Sequence, residues 1–255
     1  MPVINHKPIV PLLNRRLAEN MGLVSAVPFS EGGGPRVQDT YTTERISITG
    51  SSTWTKSPWG PAITFTGGSN GVPLSGPRVL SVSGDLTISG TFRTAAVREG
   101  ELVSNNNGGD GRFSMKCSSL DGGIYKALVF VGKSSGNFLL WGTTATNDGA
   151  WHHMAAVRKT GTWYLYIDGK LQASGDGSAN PLDITKPLYI GRNGTGDVSQ
   201  SLQGSVGNVE IFNRALTPTE VALLAADPLL IYRPDPPRVF YSYPSRPKLV
   251  LKRFV

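Results

Sequence analysis

Four runs decide how this chain folds: D-G-A-W-H-H-M-A-A-V-R (residues 148–158), G-T-W-Y-L-Y-I-D-G-K-L (161–171), P-L-Y-I-G-R (187–192) and G-S-V-G-N-V-E-I-F-N-R-A-L-T-P-T-E-V-A-L-L-A (204–225). The first two read as short strands bounded by turns. Asp168-Gly169 predicts a two-residue hairpin turn of type I′, which needs positive φ at both central positions; Asp and Gly tolerate it. In the fourth run an apolar strand gives way to a helix. Thr217 reads as N-cap, Pro218 as the first helical residue and Glu220 as the second half of a capping box. Val221, Leu224 and Ala225 supply the apolar face. Asp227-Pro228 stops the helix, because proline disfavours α geometry in the residue before it.

Outward from these runs the pattern stays that of short apolar segments broken by Gly, Ser and Asn. Strands are expected at 62–66, 78–83, 86–93, 101–104, 112–117, 125–131, 138–142, 151–158, 162–167, 170–173, 188–191 and 207–212. So many short strands with frequent turns point to an all-β, antiparallel two-sheet sandwich with one short C-terminal helix. The 255 residues, 39% hydrophobic content, 31 glycines and 18 prolines suit one such domain. The expected layout is an extended arm over 1–37, the sandwich over 38–227 and an extended, proline-rich arm over 228–255. A turn or two of helix is compatible with 12–21, and 31–35 reads as a hinge.

Charge divides the same way. The net charge is +7. Residues 1–20 carry +2, residues 228–255 carry +5, and the stretch between them is balanced. Arg15 and Arg16 at one end, and Arg233, Arg238, Phe240, Tyr241, Tyr243 and Arg246 at the other, read as anchoring groups. The prolines and paired apolar residues of the second arm favour a protein groove over nucleic acid, and 248–255 has the β propensity to add a strand to a partner's sheet. The single cysteine, Cys117, excludes an internal disulfide and reads as a buried thiol. The N-terminal run lacks the apolar core of a signal peptide, and no apolar run is long enough to span a membrane. Synthesis in a host cytoplasm is the expectation.

D-G-x-W-H-H at 148–153, Y-L-Y-I-D-G at 164–169, Y-I-G at 189–191 and G-x-V-x-x-V-x-I-F-N-R-A-L at 204–216, followed by the capped helix, resemble the laminin-G/pentraxin-like branch of the concanavalin A-like lectin/glucanase superfamily. The resemblance implies a jelly roll with the helix beside its last strands. The flanks resemble those of bacteriophage tail and capsid accessory proteins. Together these imply a non-enzymatic structural or interaction protein of a virion, such as a capsid decoration (cement) protein. Its partner would be a major capsid or other virion protein, and a homo-oligomer, a trimer for instance, would suit a capsid three-fold. The alternative is a carbohydrate-binding module for surface glycans.

Catalysis finds little support in the residues. Glycosidases of this superfamily carry two or three carboxylates alternating on one strand, E-x-D-x-x-E or E-x-D-x-E, and that signature is absent. Glu99-Gly100-Glu101 reads as a charged turn, and Glu210 as a lone outward-facing residue. His152 and His153 are neighbours on one strand, so they face opposite ways and cannot share an ion. No zinc spacing or nucleophile elbow occurs, and the glycines of 191–196 precede no helix. Calcium is what the resemblance implies at a loop edge, with Asn106, Asp110, Asn147 and Asp148 as candidate ligands. Tyr164 and Tyr166, on the strand face opposite Trp163, are candidate sugar contacts. Trp54 and Trp59 read as either a contact patch or a plug.

Overall fold

The structure, a computed structural model, describes residues 13–74, 84–105, 108–179, 182 and 187–233. The strand expected at 78–83, Asn106, and the arm residues Arg238, Phe240, Tyr241, Tyr243 and Arg246 lie outside these, as does 248–255. Two antiparallel sheets face each other. The larger runs β14 (Lys170–Asp176), β13 (Thr162–Ile167), β12 (Trp151–Lys159), β7 (Leu86–Arg93), β16 (Gln203–Phe212), β5 (Gly60–Thr66) and β4 (Ser52–Ser57), with β1 (Leu23–Val27) also paired to β16. The smaller runs β11 (Phe138–Ala145), β10 (Ile124–Gly132), β9 (Arg112–Asp121), β8 (Gly100–Ser104), β15 (Leu188–Ile190) and β6 (Val72–Leu74). A ribbon of β2 (Arg36–Gln38) and β3 (Arg45–Ser47) stands apart.

Strand alternation sends one set of side chains between the sheets. Ile88, Phe92, Phe113, Met115, Val129, Met154, Trp163, Leu165 and Ile211 meet there, with Trp163 stacked on Phe113 at 5.6 Å. Each large apolar side chain so buried contributes about 1.5–3 kcal/mol. Cys117 belongs to this core, and burial pushes its thiol far up, out of thiolate chemistry. The opposite face of the larger sheet is covered at one end only. Ala155, Val157, Tyr166 and Phe212 form a second cluster there with Val221 and Leu224 of the helix α2 (Pro218–Ala226). The capping box is present: the Glu220 amide donates to Thr217 Oγ1 at 3.3 Å, and the Thr217 amide to Glu220 Oε2 at 2.8 Å. Asp168 and Gly169 take φ of 50° and 74°, as the hairpin demands.

Residues 13–37 are not an extended arm. They hold a short helix, α1 (Arg15–Asn20), and β1, whose Leu23 and Val27 sit opposite Phe212 and Val209. β5 pairs only with the first half of β16, and the apolar run L-V-S-A-V takes the half left open. Phe29, beyond Pro28, is fully buried. The body also extends past 227: Leu230–Tyr232 forms a 3-10 turn that buries Ile231. The Asn14 amide donates to the Ile231 carbonyl at 2.8 Å, and Asn14 Nδ2 to the Arg233 carbonyl at 2.8 Å. Both ends of the body therefore meet at one place.

Candidate functional site

Away from α2, the outer face of the larger sheet is open. Four adjacent strands there each supply one side chain to a transverse row. Thr64 on β5 lies opposite Ser205 on β16, Ser205 opposite Arg93 on β7, and Arg93 opposite Trp151 on β12. The Thr64 and Ser205 hydroxyls are 2.8 Å apart. A bulge in β16 between Val206 and Asn208 brings Gly207 under the row. A Cβ on Gly207 would stand 2.6 Å from Thr91 Oγ1 and 3.4 Å from the Trp151 ring. The β4–β5 hairpin sets Trp59 edge-on against Trp151, centroids 6.1 Å apart at 83°. Thr64, Ser205 and Arg93 of this row line a cleft of about 540 Å³, whose further polar lining includes Thr55, Thr66 and Gln203; Trp151 stands next to Arg93 in the row, outside that lining. No carboxylate lines it. The Arg93 side chain is exposed, and among the described residues no hydrogen bond or ion pair engages its guanidinium.

Three other polar centres were candidates for chemistry. His152 turns toward the loops: its Nδ1 is 2.8 Å from Asp168 and its Nε2 3.1 Å from Asp148. The bond to Asp168 raises its pKa, burial opposing. His153 turns to the other face, as alternation requires, and its Nε2 is 2.8 Å from Ser89 Oγ. Ser89 also bonds the carboxyl of Glu210. This Glu–Ser–His set is not a nucleophilic triad. The acid touches the hydroxyl instead of the imidazole, His153 Nδ1 has no partner, and all three residues are buried. Burial lowers the His153 pKa to about 4 and raises that of Glu210 to about 8, so both are neutral near pH 7. Glu210 does face away from the inter-sheet core, but it is not exposed. Asn208 beside it donates to both Glu210 and the Pro228 carbonyl, and the chain after α2 closes over them.

The third centre corrects the reading of 99–101 as a charged turn. Gly100 opens β8, and Glu101 is fully buried, its Oε1 accepting from Ser114 at 3.1 Å and from Asn193 at 3.0 Å. Burial raises its pKa to about 7. Glu99 is paired with Lys116 at 2.5 Å. A retaining glycosidase needs two open carboxyl groups about 5–5.5 Å apart; one member of this pair is sealed and the other is neutralised.

Among the described residues, the calcium candidates Asp110, Asn147 and Asp148 do not share one site. Asp110 precedes the first end of β9, where it accepts from the Ser134 amide and hydroxyl at 2.6 and 3.0 Å. Asn147 and Asp148 follow β11, whose Ala145 lies opposite Lys126, at the other end of the same sheet. Asp148 Oδ1 is engaged by His152 and by the Ala150 amide. Among the described residues no three His, Cys, Asp or Glu side chains group as a metal site. Tyr164 and Tyr166 line a smaller cleft of about 210 Å³ beside Leu216 and Pro218. Tyr166 is buried in the second cluster and presents no open ring. Trp54 packs against the core and donates to the Gly34 carbonyl at 3.0 Å. Arg15 is exposed on α1, with Arg16 next to it in the helix. Arg233 is exposed and bonds Asp227. The row of Thr64, Arg93, Trp151 and Ser205 was invisible as a motif, because its members come from four distant segments.

The fold and the cleft can now be set against known proteins. Residues 66–222 match the Laminin_G_3 model, the concanavalin A-like lectin/glucanases superfamily, and the chain belongs to that superfamily. Human neuronal pentraxin-1 is 35% identical over 88 residues, which is 31% of this chain and 20% of the pentraxin. The mouse sushi, von Willebrand factor type A, EGF and pentraxin domain-containing protein 1 is 33% identical over 95 residues, 32% of this chain and 3% of that protein. The chain thus spans a fifth or less of the length of these two relatives. Among solved structures, domain 4 of AbnA, an extracellular arabinanase from Geobacillus stearothermophilus, aligns over 80% of this chain and 98% of its own with TM-score 0.65 and 19% identity. The CBM40 of a Ruminococcus gnavus sialidase aligns over 64% and 96%, with TM-score 0.54 and 17% identity. At these identities the likeness is one of fold. No helix among the described residues is long and apolar enough to cross a membrane.

Proposed function

We propose that the sandwich is a carbohydrate-binding module and that the cleft over Trp151, Arg93, Ser205 and Thr64 is its sugar site. The observation that carries this reading is the row itself. Sugars are bound by an aromatic surface against their C–H face and by convergent polar groups on their hydroxyls. Here Trp151, in edge contact with Trp59, lies next to Arg93 across the strands, and Arg93 with Thr, Ser and Gln side chains lines the groove. Two structural neighbours support it: the arabinanase domain was solved with arabinotriose, and the CBM40 with α2,3 sialyllactose. A glycan array probed with the full chain tests the reading. Trp151→Ala is expected to weaken every positive signal by roughly tenfold or more, the cost of one lost aromatic anchor. Signals that survive Trp151→Ala and Trp59→Ala alike place binding elsewhere.

A second, compatible reading is that the module is carried on a larger particle, as a phage virion accessory or decoration protein tied to a capsid or tail protein by its basic ends. The observation favouring it is that both ends of the body leave from the hydrogen-bonded pair Asn14 and Arg233. Deleting 1–12, 234–255 or both, and measuring retention on purified phage particles, tests it. Full occupancy after both deletions would end the anchoring idea.

A further inference from the structure

We infer that the cleft selects an anionic sugar, one carrying a carboxylate or a sulfate, and that Arg93 receives the charge. This rests on the sugar-binding reading of the cleft and adds its ligand class. Arg93 stands in the middle of the row, between Trp151 and Ser205. A guanidinium is a donor only, with five N–H groups in a planar fork. That fork matches the two oxygens of a carboxylate, or two of a sulfate, through parallel charge-assisted bonds. Neutral sugars offer hydroxyls, each one donor and two acceptor lone pairs, but no charge for a guanidinium to meet. Among the cleft's lining residues the only acceptors on side chains are hydroxyls and the Gln203 amide, and no acid balances the arginine. Arg93 is the only cation among the cleft's lining residues, and Arg98, beside Gly67 and Gln203, donates to the Val198 carbonyl. Arg93 alone is left open at the cleft, flanked on one side by aromatic surface and on the other by hydroxyls. An acidic sugar would place its charge on the fork and its ring against the tryptophan.

The test uses the full chain on an array of matched glycans that differ in one group, carboxylate, sulfate or hydroxyl. Dissociation constants for the best pair would then be measured by calorimetry at physiological salt. The acidic member is expected to bind roughly tenfold or more tightly than its neutral match, the scale of one charge-assisted contact. Arg93→Gln should erase that difference, and because the side chain is exposed its melting temperature should stay that of the parent. Lys170→Gln, an exposed charge removed at the β13–β14 turn, should leave it intact. Equal affinity for acidic and neutral members overturns the inference and leaves the sugar site standing. An equal loss in Arg93→Gln and Lys170→Gln also overturns it, since diffuse positive charge would then be responsible. An array blank for every glycan removes the sugar reading itself.

Discussion

Glu210 shows what strand alternation can and cannot tell. Its parity in β16 correctly turns it away from the inter-sheet core, but segments far along the chain, around Pro228 and Tyr232, cover that face. A residue that looks like surface is thus held neutral in the interior. Its folded pKa, about 8, is raised by burial above the ordinary carboxyl value of 4.5. The stability tied to its protonated form is therefore complete below about pH 4.5 and is lost as pH rises through 8. Glu101 acts in the same direction up to about 7. His153, lowered to about 4, acts oppositely: its contribution is present above 6.5 and lost as pH falls through 4. Above pH 6.5 the glutamates act together with His152, whose raised pKa works in the same direction, so stability should fall as pH rises toward 8, by up to about 1.4 kcal/mol per pH unit per group. Glu210→Gln should melt close to the parent at pH 4 and increasingly above it as pH rises to 8.5. Parallel melting curves against pH would show that Glu210 ionises as it does in water.

Among the elements, those with strong local patterns were legible to the residue. β7 and β13 have the expected bounds, and α2 begins at its expected cap. β4 and β6 were not legible. β4 is a half-exposed edge strand of Ser, Thr and Lys with little apolar signal, and β6 carries Pro73, which an edge position tolerates. The cleft depends on β4 through its hairpin with β5, so part of the site was hidden with it. Two substitutions test this level. Thr217→Ala removes a cap bond and should cost about 1 kcal/mol in urea unfolding. Gly207→Ala would drive a methyl against Thr91 Oγ1, already bonded to Asn208, and against Trp151. It should weaken glycan binding several-fold, with altered tryptophan fluorescence, more than it lowers the melting temperature. Unchanged binding would mean that the Trp59–Trp151 contact does not shape the cleft.

For the molecule as a whole, the all-β sandwich followed from composition and turn spacing, whereas its boundaries did not. Prolines at 28 and 228 suggested extended arms, yet the chain just on the terminal side of each, with Met21, Leu23 and Ala26 before Pro28 and Ile231 after Pro228, folds onto the second cluster. A chain ended at Arg233 keeps this segment. Ending it at Asp227 deletes the buried Ile231, uncovers Glu210, and should cost about 2–5 kcal/mol, read by thermal or urea denaturation. The two ends of the outer face also differ in use. Thr87 bonds the Arg214 carbonyl beside α2, and Arg93, at the far end of the same strand, stands in the cleft, roughly 20 Å away. A sugar bound there is held well clear of the point from which the termini leave.

The bond between Asn14 and Arg233 has a consequence for connectivity. Between two residues that touch, the intervening chain is, topologically, a ring cut at an arbitrary point. Joining 14 to 233 with a short glycine linker, and reopening the backbone between Gly122 and Gly123, where both residues are exposed and bordered by open space, should give a permuted chain with the same sheets and the same cleft. Its new termini would lie at the tip of the β9–β10 hairpin, so the direction in which the module hangs from whatever carries it becomes a choice of where the ring is cut.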